Sequence, residues 1–131
     1  MRVQPGWPKG KESKVKLSLE VCTHEGVSVV YCRGRVTYRD EAVALSDKVG
    51  ELLHPSGYLV LELRGVEMID AAGLGKLVVI LIGARARQCS IKLAAPSRHI
   101  RNVLELTNLD SVFEIYPTLN DAALACREQA A

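Results

Sequence analysis

The sequence predicts an α/β fold: a mixed sheet of four to five strands with about four helices, an opening β-hairpin followed by alternating β-α units. Three observations carry this. Val15–Val21 alternates apolar and polar residues, the period of a half-buried strand, and the β-branched run Val27–Arg33 follows after the short link His24-Glu25-Gly26, as in a hairpin. Beyond it, strand-like and helix-like segments alternate, which implies parallel pairs joined by right-handed crossovers. Finally, Tyr58–Gln88 reads as a buried strand, an acidic turn and a helix, a unit around which the rest can be arranged. With so few strands, the sheet is expected to be covered mainly on one side.

The elements follow in order. Gly34–Arg39 reads as a connection, and Asp40 as the N-cap of a first helix running to Leu53, with Ala42, Leu45, Val49, Leu52 and Leu53 at helical spacing. His54-Pro55-Ser56-Gly57 breaks the chain. The central strand is placed at Tyr58–Leu63, and the turn after it ends in Met68-Ile69-Asp70. The second helix starts near Ala71–Gly73, where Asp70 could cap its free N–H groups. On a helical wheel Leu74, Leu77, Val78, Leu81 and Ile82 form the expected buried face, and Lys76, Ile80, Gly83 and Arg87 the opposite one. Ile80 then has two readings, a single exposed hydrophobe or an anchor for a partner. Ser90–Ala95 is a fourth strand closed by Pro96, and Ser97 caps a third helix striped by Ile100, Val103 and Leu104 and ended near Asn108 or Asp110. Val112–Tyr116 is a short edge strand, and Thr118–Asp121 opens a last helix that runs through Ala122–Glu128.

The composition narrows the function. A chain of 131 residues fits one domain, and 48% hydrophobic residues suffice for a core, which with only 5% aromatics must be aliphatic. The net charge of +2, with both signs interspersed, argues against direct nucleic-acid binding. The apolar run Leu77–Ile82 is far shorter than the roughly 20 residues of a membrane span. Residues 1–14 lack a signal-peptide core and read as a flexible tail, leaving residues 15–128 as the single domain. Trp7 in that tail is either a docking residue or, as its setting favours, an uncovered side chain. Cys22, Cys32, Cys89 and Cys126 form no C-x-x-C pair and read as reduced cytosolic thiols, each a small hydrophobe. His24, His54 and His99 lie too far apart in sequence for a ligand motif, so no metal and no cofactor are expected.

Catalytic signatures fail. There is no G-x-S-x-G. Gly73-Leu74-Gly75-Lys76 lacks the leading Gly of a phosphate loop, where Asp70 stands, and the Ser or Thr after the Lys, where Leu77 stands. Val78 occupies the last Gly position of G-x-G-x-x-G, and Asp70 with Glu67 reads as a cap and a solvated acid. An anion site at the free amides of Gly73–Gly75 is the remaining ligand-binding reading.

Two stretches carry a resemblance. Leu59–Gly75 (LVLELRGVEMIDAAGLG), and Val103–Phe113 with Tyr116-Pro117 and the final helix, resemble the STAS domain of anti-sigma factor antagonists and sulfate transporter tails. The likeness runs from about Val15 to Arg127. It implies a cytoplasmic, protein-binding regulator, not an enzyme, whose partner is an anti-sigma factor with a histidine-kinase-like ATPase fold. Binding of that partner frees a sigma factor. It also implies phosphorylation of a Ser or Thr just after the Asp, which blocks binding. Here those positions are Ala71 and Ala72, with Ala72 matching the acceptor, and no Ser or Thr occurs between Ser56 and Ser90. A phosphate would bring about −1.5 to −2 charges beside Asp70; with Ala72 that switch is missing. Other STAS proteins dock on the ATPase of lipid-transport ABC systems, which makes a transporter ATPase the alternative partner, and a homodimer is an alternative state. The expected contact surface is Asp70, Ala71, Ala72, Gly73, Lys76, Ile80 and Gly83, with Arg39 and Asp40 at the start of the first helix.

Overall fold

Glu25 and Gly26, both at positive φ (51° and 83°), form the two-residue turn that joins the first two strands. That geometry matches the natural twist of a hairpin and suits Gly in its second position. The strands are β1 (Leu17–His24) and β2 (Val27–Val36), antiparallel, with His24 opposite Val27. In this computed structural model, which describes residues 4–7, 17–55 and 57–130, the chain continues as α1 (Tyr38–Leu52), β3 (Tyr58–Ile69), α2 (Ala71–Ala86), β4 (Ser90–Ala94), α3 (Arg98–Leu106), a short 3-10 turn (Leu109–Ser111), β5 (Glu114–Tyr116) and α4 (Leu119–Ala130). The expected order of elements is the observed one. Of the expected tail, only Gln4–Trp7 falls within the described residues.

The five strands lie side by side in chain order, β1-β2-β3-β4-β5, and every pair after the hairpin is parallel. Crossovers of one hand that always step in one direction place their helices on one face. Accordingly α1, α2 and α3 bury Leu45, Val49, Leu77, Ile80, Leu81, Ile100 and Leu104 against Val30, Leu59, Leu61 and Leu93 in one aliphatic core. The chain turns back after the edge strand β5, so α4 covers the other face, packing Leu119, Ala122, Ala123 and Cys126 on Val27, Val29, Val60 and Ala94. The coverage is therefore three helices against one.

Several boundaries differ from expectation, each for a local reason. β2 and β3 run on to Val36 and Ile69, because two irregularities, between Tyr31 and Arg33 and between Gly34 and Arg35, shift the pairing without ending it. The buried residues of β3 consequently pass from Leu63 to Val66 to Ile69, a spacing of three that hides a strand from a period-of-two reading. α1 begins at Tyr38, not Asp40; Thr37 is its N-cap and makes no side-chain capping bond. α2 ends in a Schellman motif: Gln88 stands at φ 58°, and the amides of Cys89 and Gln88 donate to the carbonyls of Ala84 and Arg85 at 2.8 and 3.1 Å. Ser97 caps α3 as expected, accepting from the Ile100 amide at 3.2 Å, and Thr118 accepts from the Asp121 amide at 3.0 Å.

All four cysteines are buried and none forms a disulfide, and burial pushes the Cys32 thiol up to about 12. Under α4 sits a fully buried Lys92. Its Nζ donates to Glu114 Oε1 at 2.7 Å and lies 5.8 Å from the Tyr116 ring centre. Lys92 holds the Glu114 carboxyl below the usual carboxylate range. This pair ties β4 to the edge strand at the place where α4 closes over both.

Candidate functional site: the start and outer face of α2

The pairing of Val36 with Ile69 ends β2 and β3 at the same end of the sheet, so α1 and α2 start beside one another. The approach is close. The Asp70 amide donates to the Val36 carbonyl at 3.4 Å, and a Cβ on Gly73 would stand 2.1 Å from that same oxygen. Glycine is therefore required at position 73 for packing inside the domain. Asp70 caps the helix as expected: its Oδ1 accepts from the Gly73 amide at 2.9 Å.

The rest of α2 is apolar on nearly all sides, so its sequence carries little information about which way it faces. The structure settles this through Gly73 and Ala84, the small residues that let the helix lie close, and buries Gly73, Leu77, Ile80, Leu81 and Ala84. The buried face is turned by about one residue step, ~100°, from the expected one. Ile80 is consequently only 4% exposed and belongs to the core, which removes it from the contact surface. Gly73 is likewise buried, so its smallness serves the sheet and not a partner. Ile82, expected in the core, is 62% exposed.

What α2 presents outward is a stripe of small and apolar side chains. Ala72, Gly75, Val79, Ile82 and Ala86 are all exposed and recur at spacings of three and four, which places them on one side of the helix. Val79 is 50% exposed on this stripe, and Met68, at the end of β3, is 46% exposed. Ala71 is exposed next to Ala72, while Lys76 and Gly83 are half-buried along one flank. Asp40 is exposed at the start of α1; Arg39 occupies the same turn, but its side chain lies outside the described residues. The structure thus sets Asp70, Ala71 and Ala72 at the start of α2, with Asp40 exposed at the start of α1, and leaves Val79 and Ile82 exposed on the outer face of α2, where the sequence reading did not place them. The signal was present in the recurrence of small residues at 72, 75 and 86.

The chemistry available here is that of contact. The one carboxylate at the helix start already occupies the Gly73 amide, so an incoming anion would meet a negative charge where it needs a donor. Cavities of about 290, 400 and 450 Å³ lie elsewhere, and none of the three takes in Asp70–Gly75. Among the described residues no group of His, Cys, Asp and Glu is placed to hold a metal ion, and no helix is long and apolar enough to cross a membrane.

Comparison with known proteins places these features. The family model described as the STAS domain matches residues 18–122. The crystal structure of an anti-sigma factor antagonist from Mycobacterium paratuberculosis superimposes with a TM-score of 0.73 at 32% identity, covering 85% of this chain and 94% of that one. The anti-sigma-F factor antagonist RsfB of Mycobacterium tuberculosis is 27% identical over 113 residues, 85% of this chain and 90% of its own length. A Thermotoga maritima protein described as a candidate anti-sigma factor antagonist is 38% identical over 64 residues, and the match spans 57% of that protein's length.

Proposed function

Since the chain belongs to the STAS domain family, we propose that it is a cytoplasmic protein-binding regulator of the anti-sigma factor antagonist type, and not an enzyme. In this reading it sequesters an anti-sigma factor with a histidine-kinase-like ATPase fold and so frees a sigma factor. The observation that carries the reading is the outward stripe of α2, with Val79 at 50% and Ile82 at 62% exposure continuing the helix start at Asp70–Ala72. A monomeric domain gains nothing from leaving these side chains in water, whereas a partner that covers them gains their apolar area.

The contact surface in this reading is Ala71, Ala72, Gly75, Val79 and Ile82, with Lys76 and Asp40 supplying charge at the margins. Asp70 orders the helix start. Ala71 and Ala72 carry no hydroxyl, so the surface cannot be phosphorylated at the family's position and gains no phosphate charge there. Control would then lie in the amount of the protein or in a rival binder.

The test is a pull-down from native lysate with the full chain as bait, the retained proteins identified by mass spectrometry, and Ala72→Glu and Ile82→Lys as controls. Recovery of a histidine-kinase-like ATPase that both controls lose supports the proposal. Recovery of a transporter ATPase moves the function to a transport subunit. A partner retained equally by all three chains shows that the α2 stripe is not the contact surface.

A further inference from the structure

The second face of the sheet has two covers. α4 lies over its apolar half, on Val27, Val29, Val60 and Ala94. Beyond that floor the register sets Glu20 opposite Tyr31 and Tyr31 beside Glu62, a polar row across three strands, with Ser18 opposite Arg33 in the next row. α4 reaches only the margin of these rows, where Tyr31 packs against its cluster and Leu119 and Asn120 line a cavity. The segment Gln4–Trp7 lies over the rest.

Each residue of that segment meets a group suited to it. The Trp7 ring is stacked against Arg33, 5.5 Å from ring centre to guanidinium carbon. The Gly6 amide donates to Glu20 Oε2 at 2.5 Å. Gln4 and Pro5 form one wall of a cavity of about 400 Å³ whose other boundaries include Tyr31, Glu62, Arg64 and Asn120. Glu62 is buried there, accepting from the Arg64 amide at 3.0 Å with the Arg64 Nε 3.8 Å away. Trp7 is half-buried as a result, and is not the uncovered residue its sequence setting favours. An aromatic ring on a cation and an amide on a carboxylate are specific pairings, made to two different strands by residues adjacent in sequence.

We propose that this polar half-face is a docking surface whose resident occupant is the chain's own N-terminal segment, bound as an intramolecular ligand with Trp7 on Arg33 as its anchor. Release of the segment removes one wall of the cavity and opens Tyr31 and Glu62 to solvent. The seat lies on the face opposite α1, α2 and α3, so its occupancy leaves the α2 stripe uncovered, and the proposal stands apart from the identity of any partner there.

Trp7 is the only tryptophan of the chain, so its fluorescence reports the seat directly. The experiment is acrylamide quenching of the full-length protein and of two full-length variants. Arg33→Ala removes the anchor, and Gly6→Pro removes the amide hydrogen while altering nothing in the sheet. Both should raise the quenching constant at least twofold, toward that of the urea-unfolded chain. In ¹⁵N spectra the amides of Tyr31, Glu62, Arg64 and Asn120 should shift in both variants, while those of Leu77, Ile80 and Ile100 stay in place. Trp7 quenched in the parent as readily as in urea overturns the proposal. So does a Gly6→Pro chain whose quenching and amide spectra match those of the parent.

Discussion

Ile80 and Ile82 stand two residues apart on α2, at 4% and 62% exposure, so exchanging each separates the two ways the helix could face. Replacing a buried Ile by Ala forfeits its transfer energy and leaves a cavity, together about 2–5 kcal/mol. At roughly 3–4 °C per kcal/mol for a domain of this size, Ile80→Ala should lower the melting temperature by about 10 °C. Ile82→Lys acts on a side chain already mostly in water, where substitutions stay within about 0.5 kcal/mol, so its melt should move by no more than about 2 °C. Binding should show the reverse ranking. A fully buried Ile is worth about 2–3 kcal/mol, and docking removes at most the share still exposed, about 1.5 kcal/mol or roughly tenfold in Kd. The added ammonium must also be desolvated, so Ile82→Lys should weaken the partner by tenfold or more. Circular dichroism melts give the first quantity and interferometry against the captured partner the second. A melt lowered by about 10 °C for Ile82→Lys and unchanged for Ile80→Ala would refute the orientation of α2. Unchanged affinity for Ile82→Lys would refute the contact surface.

The glycines of the same helix should diverge. Gly73→Ala, with its Cβ 2.1 Å from the Val36 carbonyl, should cost about 3 kcal/mol or more in urea unfolding, whereas Gly75→Ala, which meets nothing within 4 Å, should gain up to about 1 kcal/mol. Burial raises the Glu62 carboxyl above its ordinary value, with Arg64 offsetting part of the shift. A raised value means stability present in full below the ordinary carboxylate range, about pH 4.3, and lost as pH rises through the folded value. Glu62→Gln keeps the acceptor for Arg64 and should therefore be the more stable chain at pH 7, by up to about 1 kcal/mol, with the difference gone at pH 4. Equal stability of the two chains at every pH would show that the charge is not penalised. Glu114 behaves oppositely: its lowered value contributes stability above the ordinary range that is lost as pH falls through the folded value. Glu114→Gln leaves Lys92 buried without a carboxylate and should cost about 1–3 kcal/mol at pH 7, discounted because Glu114 is half exposed. Finally, all four thiols should resist Ellman's reagent in the native state and react together in urea. Fast labelling of one of them in buffer would place that cysteine at the surface.

How much the chain reveals by itself depends on whether the cause is local. The order and type of the strands and α-helices were legible, since caps such as Asp70, Ser97 and Thr118, the turn at Glu25-Gly26 and the periodicity of β1 and α3 act within a few residues. The family likeness was legible for the same reason, carried by the contiguous run Leu59–Gly75. What required the tertiary structure were relations between distant segments. The facing of α2 could not be read from an apolar helix, because it is decided by how closely Gly73 approaches the end of β2. The full length of β3 was hidden by irregularities that belong to its pairing with β2. Lys92 gives no sign in sequence that it is buried, since its partner Glu114 and its cover α4 arrive 22 and more residues later. Likewise Trp7 finds Arg33 only once β2 is in place. Which elements form, and in what order, follows from interactions spanning a turn or two of chain. Which side of α2 meets water depends on how it packs in the folded domain, because close packing of backbone on backbone is a property of two segments and is written in neither alone.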